Sequence, residues 1–133
     1  MKKVFSLMLL LATMLTFTAC GGDDDKDEPK NSLKGTVWTS TYTDNVIVLD
    51  FTGENTVEFY GADTNLNQSG KTYYGTYTQS GNDVKFSLEC AWYEKMVMKS
   101  AVINGNSMEV KYDHNMGIID DWRTDTRTFR KRQ

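Results

Sequence analysis

The sequence is short of the side chains that carry most catalysis and most covalent cross-linking. Its 133 residues include one histidine, His114, one proline, Pro29, and two cysteines, Cys20 and Cys90. It has no Gly-x-Ser-x-Gly element. Nucleophilic catalysis needs a nucleophile, a base and an orienting group in contact. We therefore expect a protein that is not an enzyme.

Two stretches bring possible metal ligands together, and neither has the pattern of a metal site. His114 lies near the aspartates of residues 113–121, but one imidazole among loop carboxylates is more often a solvated polar cluster. Residues 63–67 have the opening spacing of a calcium loop, yet Gln68 stands where that loop needs glycine. We expect no metal and no cofactor.

Clustered positive charge is also missing. The chain has 15 Lys and Arg residues against 18 Asp and Glu residues, a formal net charge of −3. Its longest basic run is the short Arg130-Lys131-Arg132. Nucleic-acid binding needs a basic stripe that neutralises several phosphates, so we expect no nucleic-acid partner.

The first apolar stretch is typical of a targeting segment. Residues 4–17 follow Lys2 and Lys3 and are fewer than the ~20 apolar residues that cross a bilayer. Two residues after this stretch, Ala19 stands directly before Cys20. This ending resembles the lipobox of bacterial lipoproteins. The resemblance implies that residues 1–19 are a signal peptide and that Cys20 becomes a lipidated mature N-terminus.

Residues 20–32 contain glycine, aspartate and lysine and almost nothing that buries apolar surface, which predicts a flexible acidic tether. Glycine and aspartate over residues 21–25 resemble the export signal of some Gram-negative outer-membrane lipoproteins. The resemblance implies an outer-membrane location, cell-surface display and a membrane partner through the lipid anchor. With Cys20 lipidated, Cys90 stands alone, and we expect it to be a small buried hydrophobe.

Residues 33–133 are predicted to form one all-β domain. They contain no proline, and short segments rich in Val, Thr, Tyr, Phe and Trp alternate with Gly, Asn and Asp clusters, which is typical of a strand meander. Side chains alternate clearly in several segments, for example Val84, Phe86 and Leu88 against Lys85 and Ser87. The predicted strands cover residues 36–43, 46–51, 56–60, 71–78, 83–89, 95–103, 107–112 and 122–130.

Three glycine turns, at Gly53, Gly81 and Gly105, have the composition of tight hairpins. Because connections in a meander alternate between its two ends, these turns share one end, from which the tether also leaves. The longer connections, including residues 61–70 and 113–121, share the other end and should point away from the membrane. Eight antiparallel strands in an up-and-down meander can close into a small barrel without exposed edges.

Gly35 and Trp38, at the start of the first predicted strand, resemble the Gly-x-Trp element of the lipocalin-like barrels, with one additional residue between them. The resemblance implies a lipocalin-like barrel in which Trp38 plugs the closed end. It also implies that a late basic side chain, Arg127 or Arg130, packs across that tryptophan through a cation–π contact.

Binding residues concentrate on loops that a rigid scaffold holds, so the loop end is where we expect a small hydrophobic or glycan ligand. Alternatively, the side chains of these loops fold over the barrel mouth and seal the core. The free-energy cost of exposing aromatic side chains to water favours this alternative. The candidate ligand-binding residues are Leu66, Trp92, Tyr93, His114, Met116, Ile118 and Ile119.

Two other hypotheses remain open at this point. A lipidic ligand inside the barrel is one, although an eight-stranded barrel with bulky inward residues is better filled by its own side chains. The other is a structural lipoprotein with a filled core that docks to another outer-membrane protein, its acidic surface steering assembly.

Overall fold

The computed structural model describes residues 32–91, 94–115, 117 and 120–133. The predicted signal peptide, Cys20 and the tether up to Asn31 lie outside the described residues, as do Trp92, Tyr93, Met116, Ile118 and Ile119. No helix among the described residues is both long and apolar enough to cross a membrane.

In this described part of the chain, eight antiparallel strands follow one another around a closed barrel, each paired with the next and the last with the first. The predicted meander and its closure are confirmed. The strands are β1 (Thr36–Tyr42), β2 (Asn45–Phe51), β3 (Thr56–Ala62), β4 (Gln68–Ser80), β5 (Asp83–Ala91), β6 (Lys95–Asn104), β7 (Ser107–Asn115) and β8 (Trp122–Lys131).

The core forms because the strands alternate apolar and polar side chains at the period of the pleat. Met108 and Val110 of β7 point inward, and Phe129 of β8, paired with Met108, joins them. One continuous apolar cluster results, and its largest fully buried members are Trp38, Phe51, Phe59, Phe129, Leu33, Ile47, Leu49, Leu88, Met98 and Met108.

Two of the three predicted glycine turns are tight hairpins of the same kind. Gly81 and Gly105 each have a φ of 61°, and they lie between the paired residues of β4–β5 and β6–β7. A positive φ at the first turn residue alone is the mark of a type II′ turn, whose twist matches the flanking strands. Gly53, in the β2–β3 turn, does not have a positive φ; a Cβ there would meet the hydroxyl of Thr56.

Several strands are longer than predicted, and two of the extensions change a predicted loop. Gly61 lies in β3 and Gly70, with a φ of 84°, lies in β4, so the connection between them is residues 63–67 rather than 61–70. An irregular register beside Gly61 absorbs that glycine within the ladder. Strand β7 continues to Asn115 and includes His114, which was predicted to lie in a loop.

The barrel wall divides toward one end. We call the end with the turns at Gly53, Gly81 and Gly105 the closed end and the opposite end the loop end. Within the described residues, β4 pairs with β5 only over residues 76–80 and 83–87, and β1 pairs with β8 only at residues 38–39 and 130–131. Toward the loop end the wall therefore separates into two halves, β1–β4 and β5–β8.

Gly75 lies where β4 leaves β5. A Cβ at this position would lie 2.5 Å from the carbonyl oxygen of Ser87 and 2.9 Å from the Cα of Leu88. Since these are backbone atoms, the close approach of the two strands requires glycine. Beyond Gly75, β4 continues along β3, and Leu88 begins the part of β5 that pairs with β6.

We expect Leu49→Ala to lower the free energy of unfolding by about 2–5 kcal/mol, because Leu49 is fully buried and the lost side chain leaves a cavity. Urea unfolding followed by circular dichroism measures the change. Val102→Ala is the control, since Val102 is 54% exposed and should change stability by less than about 0.5 kcal/mol. Little loss in Leu49→Ala would indicate a loosely filled barrel with room for a ligand.

A candidate binding cleft at the loop end

A cleft of about 420 Å³ lies at the loop end, beside the separation between β4 and β5. Strands β4, β5, β6 and β8 all contribute to it. Its lining residues are Tyr73, Glu89, Cys90, Ala91, Lys95, Met96, Val97 and Trp122.

Strand register brings most of these residues onto one outer face. Ala91 pairs with Lys95, Lys95 pairs with Asn115, and Asn115 pairs with Trp122. Directly opposed residues in antiparallel strands point to the same face. A row of four strands therefore presents Ala91, Lys95 and Trp122 together, although 31 positions separate the first and last in the sequence.

Tyr73 forms the wall on the side of β4. Its hydroxyl donates a hydrogen bond of 2.7 Å to the carbonyl oxygen of Ala91, across the part of the wall where β4 and β5 do not pair. Its ring packs edge-on against Phe59 at 6.4 Å, and the ammonium of Lys71 lies 5.4 Å from the ring centre. The tyrosine thus bridges the two halves and offers an aromatic face to the cleft.

Cys90 and Met96 line the cleft from the side of the core. They pair with each other across β5 and β6, and the Cys90 thiol donates to the carbonyl oxygen of Met96 at 3.8 Å. Burial raises the pKa of the Cys90 thiol to about 12, so it stays protonated near neutral pH. Because the thiolate is the nucleophilic form, Cys90 contributes polarisable packing surface and no chemistry.

Trp122 forms the rim opposite Tyr73. Its indole N–H donates to a carboxylate oxygen of Asp120 at 2.9 Å, which fixes the plane of the ring, and 45% of the residue is exposed. Glu89 and Lys95 add one charge of each sign to the lining. Two aromatic rings with nearby hydrogen-bonding groups suit a ligand that has apolar faces and polar edges.

A second polar group lies on the inner face of the barrel at the loop end. The two ring nitrogens of His114 contact Glu94 at 2.8 Å and Asp125 at 3.1 Å. These two carboxylates hold the pKa of His114 above its usual range, with the Glu94 hydrogen bond as the largest cause. The histidine therefore ties the start of β6 to β8 most strongly when it is protonated.

Asp125 belongs to an inward row of β8 that the sequence analysis missed. Arg123, Asp125 and Arg127 pair with His114, Tyr112 and Val110, which face the interior. The signal was present in the sequence, because these residues alternate with Thr124, Thr126 and Thr128 and end in the buried Phe129. At the loop end this row is polar and largely exposed, since the Asp125 and Arg123 side chains are 63% and 68% accessible, whereas Phe129 lies in the core.

The two predicted ligand residues that the structure describes do not line the cleft. Leu66 lies in the β3–β4 connection with a φ of 64°, and its amide donates to the carbonyl oxygen of Asp63 at 3.0 Å. His114 is occupied by its carboxylate partners. The lining residues Tyr73 and Trp122 were not predicted, since strand pairing rather than loop position brings them together.

Gly35 and Trp38 lie at the closed end. Gly35 has a φ of 75° in the turn that precedes β1, and its amide donates to the carbonyl oxygen of Phe51 at 2.7 Å. Trp38 is 2% exposed, and its indole N–H donates to the hydroxyl of Thr36 at 2.9 Å.

The predicted packing of a basic side chain across Trp38 needs correction. The guanidinium of Arg127 lies 5.0 Å from the ring centre of Tyr42, nearer the loop end of β1. Arg130 pairs with Thr39, and it is therefore on the outer face of the barrel, while Trp38 faces inward. The stagger between β1 and β8 displaces both arginines from the tryptophan.

Among the residues that the structure describes, no group of three His, Cys, Asp or Glu side chains is placed to hold a metal ion. The Asp63 carboxylate instead accepts hydrogen bonds from the amides of Asn65 and Asn67, at 2.8 and 2.9 Å. These bonds shape the β3–β4 turn and, led by the Asn67 side chain, lower the pKa of Asp63.

The raised pKa of His114 predicts a pH-dependent stability. Because the pKa of His114 is raised in the folded state, protonation of this histidine stabilises the fold. This stabilisation is fully present below the pKa of the unfolded chain, about 6.5, and is lost as the pH rises through the pKa of the folded protein. Urea unfolding between pH 5.5 and pH 9 should show this loss. The stability difference between the wild type and His114→Gln should shrink across the same range.

Asp125→Asn is a partial control, because it removes one of the two carboxylates and should reduce the pH-dependent difference without abolishing it. Parallel stability curves for the wild type and His114→Gln at all pH values would contradict the assignment.

Comparison with known proteins adds no family to these observations. No protein-family model, curated protein or solved structure was found to match the chain. Function is therefore inferred from the geometry of the described residues and from the sequence.

Proposed function

We propose that the protein is a lipid-anchored binding module of the outer-membrane surface, whose cleft at the loop end takes a small saccharide. The observation that carries the proposal is the cleft between Tyr73 and Trp122, with Glu89 and Lys95 in its lining. Sugar rings have apolar faces that stack on aromatic side chains and hydroxyl edges that bind charged and amide groups. A small hydrophobic ligand is the alternative, because part of the cleft lining is formed by apolar side chains such as Met96 and Val97.

The filled core favours this cleft over the barrel interior as the place where a ligand binds. Leu49, Phe51 and Phe59 are fully buried in the interior, and Met108 and Val110 face them from the opposite half. Eight-stranded barrels with side chains of this size have little space left inside. A ligand would therefore bind beside the strands rather than between them.

The position of the chain entry agrees with a lipid anchor. Strand β1 begins beside the closed end, where Leu33 is buried and its amide donates to Gln79 at 3.2 Å. A lipidated Cys20 would precede this point by a short acidic tether. In that arrangement the closed end faces the membrane, and the cleft is carried at the opposite end, toward the surroundings of the cell.

We expect Cys20→Ser to abolish membrane attachment, because lipid transfer requires the thiol. After detergent phase separation of cells, the wild type should partition into the detergent phase and the variant should not. Cys90→Ser is the matched control, since the buried Cys90 packs among core residues, and this variant should stay in the detergent phase. A Cys20→Ser protein that still enters that phase would disprove the anchor.

We expect Trp122→Ala to weaken saccharide binding by about tenfold or more, the usual cost of losing a central aromatic contact. An array of bacterial and plant oligosaccharides, followed by calorimetry on the best of them, measures the change. Tyr74→Ala is the matched control, because Tyr74 is 74% exposed on β4 and lies outside the cleft.

An equal loss of binding in Trp122→Ala and Tyr74→Ala would rule out the cleft as the binding place. If no saccharide binds while a hydrophobic dye binds in a Trp122-dependent way, the small hydrophobic ligand would replace the saccharide. If neither binds, the remaining proposal is a structural lipoprotein that docks to another outer-membrane protein.

A further inference from the structure

Among the residues that the structure describes, Arg127 is a cation of the barrel wall with no ion-pair partner. Its Nε is the one buried side-chain nitrogen or oxygen atom that lacks a hydrogen-bond partner among the described residues. None of the ion pairs of the described residues includes Arg127. Buried donors are almost always paired, because an unpaired one loses its interaction with water and gains nothing.

The surroundings hold this guanidinium in one orientation. The guanidinium lies over the Tyr42 ring, with 5.0 Å between the guanidinium carbon and the ring centre. Its Nη1 donates a long hydrogen bond of 3.4 Å to the carbonyl oxygen of Thr41. Val110, paired with Arg127 in β7, is fully buried below it. The side chain is therefore fixed above the apolar core.

The nearest acid on the same face of β8 is already engaged. Asp125 contacts the Nε2 of His114 at 3.1 Å, and this histidine offsets the Asp125 charge when it is protonated. The carboxylate of Asp121 is likewise bound by Arg123, at 3.1 Å from Nη2. Within the described part of the chain, Asp125 and Asp121 thus have basic partners, whereas no ion pair includes Arg127.

The free edge of the guanidinium defines the ligand chemistry. The Nε–H and one N–H of Nη2 point in parallel from the edge opposite Nη1, and this edge binds two oxygens of a carboxylate or phosphate at once. Arg127 lies where β8 has separated from β1, since those strands pair only at residues 38–39 and 130–131 in the described chain. Because the Nε itself is buried, an anion reaches this edge by displacing the side chains that cover it, between the two strands.

We propose that the separation between β1 and β8 is a binding site for a two-oxygen anion, a carboxylate or phosphate group, with Arg127 as its main ligand and Tyr42 as its supporting wall. This site is distinct from the cleft of the proposed function, which lies beside the separation between β4 and β5. It gives the barrel a second point of recognition, for a ligand or partner that carries an acidic group.

Nuclear magnetic resonance of the Arg Nε–H groups tests the site directly. The ¹⁵N-labelled full chain in detergent micelles is titrated with sodium acetate, sodium phosphate and, at matched ionic strength, sodium chloride. The Arg127 signal is assigned by its loss in Arg127→Lys. We expect a saturable shift of this signal with acetate or phosphate, and only a small linear drift with chloride.

Arg130 supplies the internal reference, because it lies on the outer face of the same strand. Arg127→Lys keeps the charge but loses the two-donor edge, and it should weaken anion binding about tenfold or more, as read from the Thr41 and Tyr42 amides. Arg130→Lys should leave it within about twofold.

The outcomes separate clearly. Saturation by acetate alone identifies a carboxylate site, and saturation by phosphate alone identifies a phosphate site. Parallel shifts of Arg127 and Arg130, unchanged binding in Arg127→Lys, or no saturable shift with either anion would overturn the proposal.

Discussion

Closure of the sheet between its first and last strands is the constraint on which the rest of this structure depends. The strands β1 and β8 pair at only two positions, Trp38 with Lys131 and Thr39 with Arg130, extended by a hydrogen bond of 2.8 Å from the amide of Arg132 to the carbonyl oxygen of Val37. So short a ladder is weak by itself, and the packing of Trp38 and Phe129 beneath it supplies the stability.

The short closure has consequences at the opposite end. In the described part of the chain, β1 and β8 are joined only near the closed end, and β4 and β5 are joined only up to Ser87, so the two halves separate toward the loop end. Single side chains take over there. Tyr73 reaches Ala91 across one separation, and Arg127 reaches Thr41 and Tyr42 across the other. Both proposed binding sites lie at these separations.

The sequence predicted the eight strands well, because each half-buried strand carries an alternation that needs only local residues to recognise. It was less accurate around glycine. Gly61 and Gly70 were interpreted as the limits of a loop, whereas an irregular register and a positive φ place both within strands. His114 was assigned to a loop for a similar reason, since its polar neighbours hide the inward alternation of β7.

By itself, then, the sequence determined the strand order, the tight hairpins at Gly81 and Gly105 and the burial of residues such as Val84 and Leu88, because these follow from periodicity and turn chemistry. Only the tertiary structure decided which distant side chains meet. Tyr73 and Trp122 share a cleft, and Arg127 lies against Tyr42 instead of Trp38, because the stagger between strands sets those neighbours. Stagger is a property of the closed barrel as a whole, and no single strand encodes it.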